Sequence, residues 1–229
     1  MSRTPQLVLA LDLKPSVAAE DFIVTAANQA AAAWVERYPR WPAPLLALSG
    51  PAGSGKSHLA QVWRAQAGAD ALDPRLLDPV TLPQALGTKR AVLLDFAACD
   101  LAVGGMFDER ALLHLYNLLA ERGGHALVLA RDPPSRWKIA LADLRSRLLA
   151  APAAAIGAPD DALLAAVLGK LFADRQLRAE PGVIDYLSRN MERSLEAAGR
   201  VVAEVDREAL AQRRAPNVAL VKSVLANLM

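Results

Sequence analysis

Gly50-Pro51-Ala52-Gly53-Ser54-Gly55-Lys56-Ser57 satisfies the pattern G-x-x-x-x-G-K-[ST] at every fixed position. The spacing has a chemical reason. Glycines let backbone N–H groups close around phosphate oxygens with no Cβ in the way. A lysine at position 56 reaches the β- and γ-phosphates, and the Ser57 hydroxyl is placed to hold Mg²⁺. The helix that follows points the positive end of its dipole at the anion, and His58 at its opening is counted with the nucleotide-binding residues. Taken alone, the stretch also reads as a glycine turn, so its flanks decide. Leu45-Leu46-Ala47-Leu48 is a short apolar run before it, and His58-Leu59-Ala60-Gln61-Val62-Trp63-Arg64 opens a helix after it. Strand, loop, helix is the context that the phosphate loop requires.

Working upstream, Pro39, Pro42 and Pro44 interrupt whatever precedes the first strand. Residues 16–40 read as helical, with Phe22, Ile23, Val24, Trp34, Val35 and Tyr38 as apolar positions. At the start of the chain, Gln6-Leu7-Val8-Leu9-Ala10-Leu11 alternates leucine with smaller residues. It reads either as an edge strand or as a linear motif that binds a partner in extended form.

Working downstream, a helix over 59–67 is followed by a weakly signalled strand near 69–77 and a turn with a short helix between Pro79 and Pro83. Ala91-Val92-Leu93-Leu94-Asp95 is apolar throughout until its last residue, as expected of a parallel strand covered on both faces. An acid at that strand's end, in a phosphate-loop protein, is the expected Mg²⁺ partner. It is also an ordinary turn acid. A helix over 108–121, a strand over 126–130, a helix over 141–149 and a last strand over 152–156 complete the alternation. From Asp160, which can cap a helix, only helical patterns follow: near 160–172, 181–189, 192–213 and 217–228. Alternation followed by helices alone predicts an α/β domain with a parallel sheet and then an all-α lid, with the boundary at 157–160.

Bulk properties agree. The chain has 229 residues, 53% of them hydrophobic, with 26 basic and 24 acidic side chains. This near balance argues against a strongly electrostatic nucleic-acid binder, so no direct sequence-specific DNA binding is expected. Cys99 is the sole cysteine, which excludes an internal disulfide and suits a reducing, cytoplasmic setting. No signal peptide is evident, and no apolar run reaches the 18 or so residues that a membrane span needs. His58, His114 and His125 have no metal-ligand spacing.

The order of these features resembles the nucleotide-binding part of DnaA-type AAA+ ATPases. Asp21-Phe22-Ile23-Val24 with Asn28 is similar to that family's adenine-contacting entry segment. Leu141-Ala142-Asp143-Leu144-Arg145-Ser146-Arg147-Leu148 resembles its arginine-finger box, and Asn190-Met191-Glu192-Arg193-Ser194-Leu195-Glu196 its lid motif with a sensing arginine. The resemblance covers about 16–228 and implies a five-stranded parallel sheet, ADP or ATP with Mg²⁺ as ligands, Asp95 as the Walker B acid, and Arg147 and Arg193 as finger and sensor. Residues 145 and 147 of one helix lie about 200° apart, so only one of the two arginines can aim at a given phosphate. By residue type alone Arg147 is equally a solvated helix residue, and Arg189 and Arg200 compete with Arg193.

Two departures bear on activity. Phe96 follows Asp95 where the family has a second, water-orienting acid, and a phenyl ring cannot polarise water. Intrinsic ATP hydrolysis is therefore expected to be weak or absent. Ala130-Arg131-Asp132-Pro133-Pro134 also inverts the family's charge order after the fourth strand. Residues 1–15 resemble the peptide with which bacterial proteins dock on the replicative sliding clamp (the polymerase β subunit), through Gln6, Leu7, Leu9 and Leu11. A DnaA-like module with such a peptide, and no segment left after the lid for a helix-turn-helix, implies a regulator that acts on DnaA at the DNA-loaded clamp and prevents re-initiation. The alternatives are a DNA-handling AAA+ ATPase, such as an initiator fragment or a helicase loader, and a small-molecule kinase. A homo-oligomer and the choice between ADP and ATP are left open.

Overall fold

The computed structural model describes residues 22–228 apart from Ala98. Gln6, Leu7, Leu9 and Leu11 therefore lie outside the described residues. Five strands form one parallel sheet: β1 (Leu45–Ser49), β2 (Asp70–Leu72), β3 (Ala91–Asp95), β4 (His125–Ala130) and β5 (Ala153–Ala155). Their spatial order is β2-β3-β4-β1-β5. Leu45 pairs with Ala126, Ala47 with Ala153, Asp70 with Val92 and Ala91 with His125.

α1 (Gln29–Glu36) precedes the first strand, and the helices between strands are α2 (Lys56–Ala67), α3 (Leu82–Leu86), α4 (Glu109–Arg122) and α5 (Ala142–Ala150). Alternation along each strand sends its residues to two separate cores. Leu46, Leu48, Leu93, Leu127 and Leu129 pack under α1 and α2 with Val35, Leu59 and Trp63. Leu45, Val92, Leu94 and Val128 pack on the other face with Leu82, Leu112, Leu115 and Leu144, the side of α3, α4 and α5. The chain leaves β1 toward the β2 edge and leaves β4 toward the β5 edge. Adjacent strands whose connections depart in opposite directions open a crevice at their C-terminal ends, where ligands of such sheets bind.

α6 (Asp161–Asp174), α7 (Val183–Asn190), α8 (Leu195–Gln212) and α9 (Val218–Leu228) form the lid around a third core. Leu168, Phe172, Leu187, Val202, Val205, Val221 and Val224 fill it. Asp160 caps α6 by accepting the Leu163 N–H at 2.7 Å, and Ser194 caps α8 by accepting that of Ala197 at 3.2 Å. The third lid helix therefore begins at Leu195, later than its pattern predicts. No helix among the described residues is long and apolar enough to cross a membrane.

The largest departure from expectation is at the start. Helix does not run through 22–28: α1 begins at Gln29. Asn28 is the cause. Its Oδ1 accepts the Thr25 N–H at 2.8 Å and its Nδ2 donates to the Ile23 carbonyl at 2.9 Å, so these backbone groups are bonded to a side chain instead of a helical partner. The strand near 69–77 likewise shrinks to Asp70–Leu72, because Asp73 accepts the Arg75 N–H at 2.9 Å and starts a tight turn at Pro74.

Candidate functional site

The phosphate loop leaves β1 at the crevice. Its first residue is fixed there by a hydrogen bond from the Gly50 N–H to the Arg131 carbonyl, 3.0 Å, which joins the ends of β1 and β4. Gly50 has no room for a side chain, since a Cβ would lie 2.2 Å from the Ile156 carbonyl oxygen. Gly53 and Gly55 have φ of 67° and 97°, where a residue with a Cβ is strained. α2 starts at Lys56, so its free N–H groups face the loop.

Lys56 is 7% exposed, and its Nζ donates to the carbonyls of Gly50 and Pro51, each at 2.7 Å. Burial pushes its pKa down; the Asp95 carboxylate opposes that shift and the Arg131 guanidinium adds to it. The ammonium, Asp95 and Arg131 thus share one electrostatic neighbourhood at the C-terminal end of the sheet.

A cleft of about 540 Å³ opens beside the loop. One wall is Gly53, Ser54, Gly55, Lys56, Ser57 and His58, with Gln61 one turn further along α2. Phe22, Ile23 and Asn28 form an end wall, the Phe22 ring standing edge-on to His58 at 5.7 Å. Both functional ends of the Asn28 side chain are spent on the 23–25 backbone, so this buried residue shapes the wall.

The facing wall comes from the lid and was not read from the sequence. α6 contributes Leu163, Val167, Lys170, Leu171 and Asp174, and α8 contributes Leu195, Glu196 and Gly199. Six apolar positions of α6 look like one face in the sequence. The structure divides them: Leu168 and Phe172 enter the lid core, Leu163 and Val167 line the cleft, Leu171 lines the cleft while packing against the lid core, and Leu164 is buried outside both. The offsets 163, 167, 170, 171 and 174 form a helical stripe of their own, which was the available signal.

The dimensions suit a nucleotide. Backbone amides and a buried ammonium at one end fit phosphates, and an apolar slot between Phe22, Ile23 and α6 fits a flat base. The donors available to Mg²⁺ are Ser57, which lines the cleft in the first turn of α2, and Asp95 at the end of β3, which is not among the residues lining the cleft. A hydroxyl and one carboxylate do not hold that ion unaided, and phosphate oxygens normally complete its shell. No cluster of three or more His, Cys, Asp or Glu side chains with metal-binding geometry occurs among the described residues.

Several predicted residues stand elsewhere. Gly50, Pro51 and Ala52 shape the loop without lining the cleft, and Val24 is 51% exposed. Arg193 donates to Asp161 Oδ1 at 2.6 Å and to the Pro159 carbonyl at 3.3 Å, which ties the α7–α8 turn to the start of α6. Its competitors are also paired, Arg189 with Asp185 at 2.9 Å and Arg200 with Glu196 at 2.8 Å. Arg147 lies outside the cleft, on α5. Its Nε donates to Asp143 at 3.0 Å and its guanidinium covers the Tyr116 ring at 5.2 Å. The Asp143 hydrogen bond raises its pKa further, so it is a permanent cation.

Phe96 is fully buried on the face opposite Asp95, packed against Phe107 at 5.0 Å and Trp137 at 6.0 Å. A second, polar recess of about 360 Å³ lies at the ends of β3 and β4, lined by Ala97, Cys99, Asp100, Leu101, Arg131 and Asp132. Asp100 lines this recess and is absent from the nucleotide-sized cleft.

A parallel sheet of order β2-β3-β4-β1-β5, a phosphate loop after β1 and a helical lid over the loop define an AAA+ P-loop fold. Among solved structures the chain is similar to domain III of the Thermotoga maritima replication initiation protein DnaA: TM-score 0.73, 18% identity, 95% of this chain and 98% of that one. It is also similar to AMPPCP-bound DnaA from Aquifex aeolicus, with TM-score 0.66 and 18% identity over 88% of this chain and 71% of that one. The Thermotoga maritima RuvB Holliday junction branch migration motor matches with TM-score 0.63 and 16% identity over 81% and 62%. No protein-family model and no curated protein matches the chain. The fold is accordingly a DnaA-like AAA+ fold.

Proposed function

We propose that this protein is a replication regulator of the Hda type, which binds adenine nucleotide in the cleft and stimulates hydrolysis of ATP held by DnaA. ADP or ATP occupies the space between the phosphate loop and α6, with Ser57 and Asp95 on Mg²⁺. The likeness to AMPPCP-bound DnaA supports the nucleotide. Gln6, Leu7, Leu9 and Leu11 dock on the DNA-loaded sliding clamp, which raises the local concentration where replication has begun.

The observation that carries this reading is the division between Phe96 and Arg147. The side chain that follows Asp95 is locked in the core and gives no base for water. Arg147 is a permanent cation on α5, away from the chain's own cleft, 35% exposed and held by Asp143 until a neighbouring subunit competes for it. A protein so built donates a catalytic group more readily than it completes its own site. DnaA brings ATP, Mg²⁺ and the water; Arg147 stabilises charge developing on the transferred phosphoryl group. Such a finger contributes on the order of 10³–10⁵ in rate.

The test is hydrolysis of DnaA-bound ATP with clamp loaded on DNA. Arg147→Ala removes stimulation, and Arg147→Lys also fails because it lacks the planar fork. Wild-type stimulation by Arg147→Ala, with folding and clamp binding intact, excludes the finger. The RuvB likeness favours a second reading, a DNA-handling AAA+ ATPase. That reading requires the purified protein to turn over ATP without DnaA.

A further inference from the structure

The lid touches the phosphate loop directly, backbone to backbone. The Leu195 N–H, in the first turn of α8, donates to the Gly53 carbonyl at 2.8 Å. Ser194 is buried against the same glycine: a Cβ on Gly53 would lie 2.0 Å from Ser194 Oγ and 2.7 Å from Ser194 Cβ. A Cβ on Gly55 would meet Leu195 Cδ1 at 3.1 Å. The contact is reciprocal. Gly53 supplies an acceptor to one of the N–H groups that a helix start leaves without an internal partner. α8 in turn fixes the direction of the Gly53 carbonyl. The next amide is in the same rigid plane and points the opposite way, so the Ser54 N–H is fixed with it.

We infer that the Leu195 backbone amide is a positioning group for the phosphate loop, so that retention of a nucleotide's phosphates depends on the lid being seated on Gly53. This rests on the cleft being a nucleotide site. It assigns the lid a role that precedes any arginine contact, because the clasp uses main chain and is made by residues outside the loop motif. A phosphate held by the loop slows lid departure, and a departing lid loosens the loop.

Position 195 permits a clean test. Proline is well accepted at the first position of a helix, where it removes only an N–H. Ser194 already has φ −145° and ψ 131°, the extended conformation that a residue before proline requires. Leu195→Ala is the control, since it loses the side chain but keeps the N–H. Release of a fluorescent ADP analogue is measured by stopped flow, with adenosine affinity measured alongside and helix content followed by circular dichroism. Leu195→Pro is expected to release ADP about 3–10 times faster than Leu195→Ala, the worth of one hydrogen bond. Adenosine, which has no phosphate, should bind both variants alike. Equal ADP release by the two variants overturns the inference, as does an equal weakening of adenosine.

A second pair covers the case in which proline unfolds the lid. Gly53→Ala speeds release, and adding Ser194→Gly, which a helix cap tolerates, recovers part of the change. No recovery overturns the inference. If wild type binds no ADP, or Lys56→Ala binds it equally, the nucleotide reading fails and this inference with it. A bound wild type with no difference between proline and alanine removes the clasp alone.

Discussion

The two ends of the parallel sheet are built from opposite materials. Where β1 and β4 begin, Tyr38, Trp41, Trp63 and His125 close the sheet with rings whose paired centroids lie 5.4–5.6 Å apart. Where these strands and β3 finish, the sheet is closed by main-chain amides, Lys56, Asp95 and Arg131. α2 joins the two, with its first residue in the phosphate loop and Trp63 in the ring cluster. One end holds the protein together through buried apolar area, and the other presents charge and directed dipoles to a ligand. Stability and ligand affinity should therefore be separable by position along a single helix.

Trp63→Ala gives the largest effect. Removal of a fully buried ring costs about 3–5 kcal/mol, read from urea unfolding, while nucleotide affinity of the folded protein stays within about twofold. Trp63→Phe should cost much less, since Trp63 Nε1 has no hydrogen-bond partner among the described residues. A large loss of affinity with either variant breaks the comparison.

Lys56→Ala is the mirror case. Loss of a charge-assisted contact to phosphate weakens ADP by roughly 1.5–3 kcal/mol, read by calorimetry, with little change in melting temperature. Unfolding of this variant would show that the charged end is structural as well.

Asp95→Asn sharpens the same end. It keeps the acceptor toward the Ala97 N–H, 2.8 Å, and removes the charge. Mg²⁺ should then strengthen ATP binding less than in wild type, by on the order of tenfold. An unchanged Mg²⁺ titration excludes Asp95 from the metal's surroundings.

The smallest effect is a pH dependence at the ring end. Burial lowers the His125 pKa below its ordinary value of about 6.5. Between the two values the unfolded chain binds more protons, so stability is complete above the ordinary value and is lost as pH falls through the folded one. In His125→Phe the loss of melting temperature on acidification should shrink by about 1–3 °C. An identical acid limb in both proteins assigns the loss to carboxylates.

The legible parts are those set by local chemistry. The strands and the later helices follow from periodicity, and the phosphate-loop wall from one motif with its flanks. Asp160 and Gly123 mark helix ends as capping rules predict, whereas Ser194, which the sequence pattern places inside its helix, is the cap of that helix. The cleft's second wall was hidden for a physical reason. Leu163 and Leu164 are adjacent, equally apolar and both buried, yet only Leu163 lines the cleft. Which side of α6 meets the lid core depends on how four helices pack, and hydrophobicity alone does not record it. The clasp on Gly53 was hidden likewise, because the glycine's lack of a side chain answers to Ser194 as well as to phosphate. The helix expected over 22–28 failed because Asn28 competes for its own neighbours' backbone.

Phe96 has a consequence for the history this chain can still have. Its ring fills the space between Phe107 and Trp137 beneath β3. Phe96→Glu would not restore a water-orienting acid; it would put an uncompensated carboxylate among apolar rings, at a cost of several kcal/mol. Placing a solvent-facing acid at this position would demand that the strand end be turned out and the vacated core refilled in the same step. The packing thus works as a one-way valve: an aromatic side chain is easily held at this position, whereas a charged one would need the core around it rebuilt.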